Sequence, residues 1–292
     1  MPTLKDKIEF GYYVAAFIDL LGQSEALKEF QRLPTSDQPE EMQKFISTVK
    51  KTFGPMHGFH DSFDNFFSGY SNREERFNFT EEQKRLYDQM GSNEIKLQRF
   101  SDGLLLSLSL RTERNKGHMR GVSGILYSCG AMFIVWLSQG YPMRAGIDIG
   151  IAAEIYENEI YGPALANAYR LENEIAQYPR IVIGDELVRY FNAINQSQDD
   201  DVFTRANKLM VAEAEKMIAV DDDGQRIVDY LGEVFKARFT SLNMTKTAFD
   251  AYDFVLAQSA KWQAERNSKL AFRYTHLRNY FEARLPLWKT QL

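Results

Sequence analysis

Tyr13-Val14-Ala15-Ala16-Phe17-Ile18-Asp19-Leu20-Leu21-Gly22-Gln23-Ser24 is an apolar run that ends on a carboxylate and then turns at a glycine. Such a run of β-branched and aromatic residues reads as a buried strand, placed at residues 8–19, and Gly22 with Ser24 reads as a tight turn into a helix over 22–31. A charge closing a buried strand is costly unless it is paired. A salt bridge and a metal ion are the two ordinary answers.

Working outward, Leu33-Pro34 through Gln38-Pro39 breaks the first helix, and Glu40–Phe53 reads as a second one, with Met42, Phe45, Ile46 and Val49 spaced three and four apart. The stretch from Gly54 to about residue 93 mixes aromatics such as Phe59, Phe63 and Phe67 with polar breakers, and reads as an insertion packed locally or onto a partner. From Glu94 to Leu110 the period falls to two, which predicts a hairpin turning at Ser101-Asp102-Gly103, with Asp102 at its tip. A buried helix is expected over 117–140, a strand over 143–151, and a helix opening at Gly162-Pro163 and running to about 175. Beyond these come a strand at 180–183, helices at 185–194 and 204–216, a turn at Asp221–Gly224, a strand at 226–231, and helical stretches at 243–266 and 268–286. The pattern is that of one α/β domain, residues 8–240, with a helical C-terminal extension, 241–292, packed on it.

Composition narrows the function classes. Among 292 residues, 44% are hydrophobic and 26% charged, which is ordinary for a globular chain. The longest apolar run, Ala131–Leu137, is far short of the ~18 residues that span a bilayer, and no secretory signal opens the chain. The single cysteine, Cys129, excludes an internal disulfide. A net charge of −5 argues against a nucleic-acid scaffold and leaves small anionic substrates open. A cytoplasmic protein that binds neither membrane nor nucleic acid is expected. Neither a GxxxxGK[ST] nor a GxGxxG phosphate loop occurs.

Asp19 and Asp102, brought to one sheet edge, would offer two carboxylates to hard divalent cations. Paired Mg²⁺ or Mn²⁺ ions suit in-line displacement at phosphorus, and the backbone N–H groups of Leu20–Gln23 would face a polyphosphate. Each residue also has a bland reading. Asp19 alone fits a salt bridge, Asp102 a plain turn, and Arg170 a surface partner of Glu172 or Glu174. Arg144 reads as structural or interfacial. His57, His60, Asp61 and Asp64 read as local packing rather than a metal cluster, and Asp221–Asp223 as a turn without the alternation of a calcium loop.

Three motifs in order resemble the class III nucleotidyl cyclases: Phe17-Ile18-Asp19-Leu20-Leu21-Gly22, Phe100-Ser101-Asp102-Gly103, and Arg144–Gly150 followed by Ile160–Glu172. The resemblance spans roughly residues 10–185. It implies a ferredoxin-like βαββαβ core with a largely antiparallel sheet, an insertion before the central hairpin, and C-terminal helices. It further implies Asp19, Asp102 and the Leu20 carbonyl as ligands of two Mn²⁺ or Mg²⁺ ions. The substrate would be a nucleoside triphosphate whose 3′-hydroxyl attacks its own α-phosphate. Sites would form between the subunits of a homodimer, with Arg170 reaching across to the other chain's phosphates. Phe17, Leu21, Gly22, Gln23, Gln98, Arg99, Phe100, Ser101 and Glu159 are the candidate substrate contacts.

Two departures refine the resemblance. Gln98 stands where purine cyclases carry a base-reading Lys or Glu, and Ala166 stands where they carry a transition-state Asn, with Asn167 next to it. This is more similar to the pyrimidine cyclases of Pycsar anti-phage systems, which make cyclic UMP or cyclic CMP for a downstream effector; UTP is favoured over CTP. A purine cyclase and a catalytically silent nucleotide-binding module are the alternatives.

Overall fold

Phe10–Leu20 forms strand β1 of a computed structural model that describes residues 8, 10–22, 34–35, 39–71, 80–81, 85, 94–100, 103–110, 116–156 and 159–289. Val14, Ala16, Ile18 and Leu20 are buried on one face of β1; Tyr13 and Ala15 are buried on the other. Covering on both faces explains why the strand reads as a continuous apolar run rather than an alternating one.

The next elements are helix α1 (Pro39–Ser71), strands β2 (Ile95–Phe100) and β3 (Gly103–Ser109), helix α2 (His118–Ser138) and strand β4 (Met143–Tyr156). Their sheet order, β2-β3-β1-β4, is antiparallel throughout and gives the ferredoxin-like βαββαβ arrangement expected from sequence. β5 (Glu159–Tyr161) folds back on β4, while β6 (Ile181–Ile183) joins β4 in parallel and leads to β8 (Arg226–Val228) and β7 (Ile218–Val220). The fold is therefore mixed α/β with a mainly antiparallel sheet of eight strands among the described residues.

The remaining helices are α3 (Pro163–Arg170), continued by a π-helical turn at Leu171–Ile175, then α4 (Asp185–Gln196), α5 (Val202–Glu215), α6 (Glu233–Ser241), α7 (Lys246–Ala264) and α8 (Ser268–Lys289). α2 is long and apolar enough to cross a bilayer, yet it lies inside the core against α1, α5 and α7. Helices as well as strands cover it, so its apolar residues run all round.

Several boundaries differ from the sequence reading. The expected insertion from residue 54 begins as helix: α1 runs unbroken through Gly54-Pro55 to Ser71, and Phe59, Phe63 and Phe67 are buried in the main core. Their four-residue spacing is helical, and the Gly-Pro pair hid it. β7 and α6 were not foreseen, because Ile218–Val220 is too short to carry a period and α6 is only weakly amphipathic. The expected helix over 22–31 falls mostly outside the described residues. The Asp221–Gly224 turn forms as read, and its acids hold a cation: Arg180 pairs with Asp221 and Asp223 at 2.6 Å each.

His118, at the start of α2, is buried against Tyr190, whose hydroxyl contacts its Nδ1. Burial lowers its pKa from 6.5 to about 4. Between those values the unfolded chain binds the extra proton, so stability falls as pH drops through that window. Urea unfolding of wild type should lose about 2 kcal/mol between about pH 7 and about pH 5 from this residue. His118→Asn should remove that part of the slope; an unchanged slope would clear His118 of the role.

Candidate active site

The register lays the site out in rows across one sheet face. Phe100, Gly103, Asp19 and Arg144 are successive backbone partners, and Gln98, Leu105, Phe17 and Gly146 form the next row. Partners across an antiparallel sheet share a face, so Phe17, Asp19, Gln98 and Arg144 lie on the same side. Arg99 falls on the opposite side, beside Leu104 and Ile18, and is exposed there. The two candidate contacts Gln98 and Arg99 thus lie on opposite faces of the sheet. Ser101, Asp102 and Gln23 lie outside the described residues, as do the side-chain surroundings of Phe100. The backbone on either side of residues 101–102 ends in the row of Asp19.

Helix α3 covers part of this face because the strand beneath it carries glycine at two positions, Gly146 and Gly150. A Cβ on Gly146 would stand 2.3 Å from the Ala168 carbonyl oxygen, and one on Gly150 would stand 2.7 Å from the Ala164 nitrogen. The helix thus lies directly on the β4 backbone at these two positions and leaves the Asp19 row open. Phe17 closes the boundary, meeting Tyr169 edge to face at 5.2 Å.

In the open row Arg144 bridges two acids. Its Nη2 lies 3.1 Å from Asp19 Oδ2, its Nε donates to the same oxygen at 3.2 Å, and Nε also lies 2.6 Å from Glu172 Oε1. Glu172 is only 2% exposed, held by the π-helical turn after α3. The salt bridge proposed as the bland reading of Asp19 is thus present, with Arg144 as partner. Arg144 is fixed by these acids beside the candidate catalytic carboxylate. Sequence reasoning missed Glu172 in this role, since its surface-like context, Leu-Glu-Asn-Glu, carries no sign of burial.

Asp19, with a side chain 19% exposed, opens into a cleft of about 690 Å³ that Leu20, Leu21, Gly22 and Arg144 also line. Gly22 has φ +89°, a turn conformation that favours glycine. The Leu21 N–H is already donated to the Pro142 carbonyl at 2.9 Å, so it is not spare for a phosphate as the sequence suggested. The other wall comes from the C-terminal helices, through Trp262, Asn267, Lys269, Leu270, Arg273 and Tyr274. That contribution had no sequence signal.

Arg170 does not reach this cleft. It lines a separate one of about 330 Å³ with Asn167, Asp148 and Arg189, and the two share no described residue. Asn167 and Arg170, three apart on α3, face the same space. Ala166 is exposed instead. Asp148 is almost fully buried and accepts the Leu187 N–H at 2.9 Å, tying β4 to the start of α4; burial raises its pKa. Glu159 sits exposed on β5 and lines neither cleft.

Oxygen donors of this kind suit a hard divalent cation. Among the described residues no group of three or more His, Cys, Asp or Glu side chains converges. Asp19 and Leu20 both line the cleft, and Asp102 lies outside the described residues.

No family model matches the sequence, and no curated protein does. Solved structures overlap with part of the chain. The guanylyl cyclase domain of the RhoGC fusion protein from the aquatic fungus Blastocladiella emersonii is 11% identical, with a TM-score of 0.40, over 67% of this chain and 92% of that one. The catalytic core of a rhodopsin-guanylyl cyclase with converted specificity, in complex with ATPαS, is 12% identical at a TM-score of 0.39, over 63% and 82%. The guanylate cyclase domain of RhGC from Catenaria anguillulae, in complex with GTP, is 12% identical at 0.35, over 62% and 82%.

Proposed function

We propose that this chain is a nucleotidyl cyclase that converts a pyrimidine nucleoside triphosphate, UTP ahead of CTP, to its 3′,5′-cyclic monophosphate. The observation that carries the reading is the alignment of Asp19 with Phe100 and Gly103, the strand-end residues between which Asp102 falls in the sequence. A carboxylate at a strand end over a cleft of about 690 Å³, with a second acid in the sequence between Phe100 and Gly103, suits phosphoryl chemistry. Mg²⁺ or Mn²⁺ ions bound by Asp19, the Leu20 carbonyl and Asp102 would supply Lewis acidity at the phosphate oxygens. In the reaction the 3′-hydroxyl loses its proton and bonds to the α-phosphorus, and the bond to the β-phosphate oxygen breaks to release pyrophosphate. Arg144 holds Asp19 in place and presents a fixed positive charge at the cleft.

Two observations support a homodimer with shared sites. Asn167 and Arg170 face a cleft apart from that of Asp19, so a second copy would be needed to bring these groups to one substrate. Phe10, Tyr12, Ile151 and Tyr161 also form an exposed apolar strip, aligned across β1, β4 and β5. Asn167 then stands in for the asparagine absent at position 166. Gln98, on the Asp19 face, is a neutral amide able to donate to or accept from a pyrimidine edge, whereas a fixed Lys or Glu is committed to one sense. In this reading the product is the second messenger of an anti-phage system and acts through a cyclic-nucleotide-gated effector.

Purified protein incubated with each of the four nucleoside triphosphates and Mn²⁺ should yield cyclic UMP or cyclic CMP with pyrophosphate, resolved by chromatography. Preference for ATP or GTP would make it a purine cyclase. Absence of any cyclic product from all four would sink the proposal.

A further inference from the structure

Among the described residues, the cleft beside Asp19 is lined by more cations than acids: Asp19 stands against Arg144, Lys269 and Arg273. Arg144 already engages both Asp19 and Glu172. Among the described residues, Lys269 and Arg273 have no ion-pair partner. Arg273 is half-buried, and its pKa is lowered by burial first and then by the like charge of Arg144. Two guanidinium groups held near each other repel, and a polyanion lying between them turns the arrangement favourable.

The helix that carries these cations is firmly positioned. Lys269 and Arg273 are four residues apart, so they share one face of α8. The turn from α7 is fixed by Arg266 at φ +54° and by the Asn267 N–H donating to the Trp262 carbonyl at 3.0 Å. Further along, Tyr280 accepts the Leu231 N–H at 3.1 Å and donates to Asp229 at 2.9 Å, while Trp288 Nε1 donates to the Leu231 carbonyl at 2.7 Å. Tyr274, Leu277, Phe281 and Leu285 are buried between these anchors. A helix tied down in this way holds its cations in place before any ligand arrives, which lowers the ordering cost of binding.

We propose that Lys269 and Arg273 bind the terminal phosphates of the substrate, so that the C-terminal helical pair is a working wall of the active site. The inference rests on the cyclase reading for the identity of the substrate, and on the cleft alone for its polyphosphate character. The planar Arg273 fork matches two phosphate oxygens at once, and Lys269, nearer the solvent, adds a point charge.

Binding of inorganic tripolyphosphate to the full chain, followed by calorimetry, tests it without turnover. Arg273→Gln should weaken binding about tenfold, Arg273→Lys about threefold, and Lys269→Gln by a similar smaller factor. The thermal melts should stay unchanged. Arg205→Gln, on the exposed surface of α5, should bind as wild type does. Equal binding by Arg273→Gln and wild type, or equal weakening by Arg205→Gln, would overturn the inference. If Arg273→Gln does not fold, undiminished binding by both Arg273→Lys and Lys269→Gln overturns it instead. The cyclase reading fails separately, through the absence of cyclic product from the wild-type chain.

Discussion

Asp19→Asn should reduce cyclic nucleotide formation at least about a thousandfold while leaving the folded protein intact. The substitution keeps the shape of the side chain and removes its charge, which is what a divalent cation and a developing phosphate charge respond to. Fold loss is limited because Arg144 retains its 2.6 Å pair with the buried Glu172. Initial rates with UTP and CTP in Mn²⁺, set beside thermal melts, measure the two effects separately. The experiment also divides the two readings of Asp19. If its task were only to pair with Arg144, turnover would stay within about tenfold of the parent, whatever the loss of that pair does to the melting temperature.

Gly146→Ala should destabilise the fold by about 3 kcal/mol, a large effect for one methyl group. The new Cβ would lie 2.3 Å from the Ala168 carbonyl oxygen, 2.5 Å from Leu171 Cβ and 2.6 Å from the Glu172 nitrogen. Two of these three are backbone atoms, so no rotamer change relieves the contact and α3 must lift from β4. Lifting it displaces Glu172 and so loosens Arg144 and Asp19. The rate should therefore drop along with the denaturation midpoint, in contrast to Asp19→Asn, where the loss of rate far exceeds any loss of stability. A variant as stable as the parent would show that α3 does not lie on the β4 backbone in solution.

The order of strands and most helices was legible because each is a local pattern. The buried run ending at Asp19, the period-two hairpin and the Gly-Pro helix start each fit within about a dozen residues. The 33-residue helix α1 was cut short in the sequence reading because Gly54-Pro55 is an ordinary stop signal, which the packing of Phe59, Phe63 and Phe67 outweighs. Of the site, Asp19 and its turn were visible, and so was the chemistry of a second acid at Asp102. Arg99 looked as suitable as Gln98 until the register put them on opposite faces, since a difference of one position in a strand reverses the side.

By itself the sequence determined most of the strands and helices, their order along the chain, and the acid that closes the first strand. Only the tertiary structure decided who meets whom. Asp19 and Arg144 are 125 residues apart, Arg273 is further still, and Glu172 looks like a surface residue until the π-helical turn buries it. Such meetings are set by strand register and by the way α8 is pinned across the core. No local spacing in the chain encodes those contacts, because a partner brought in by folding leaves no mark on the neighbours of the residue it meets.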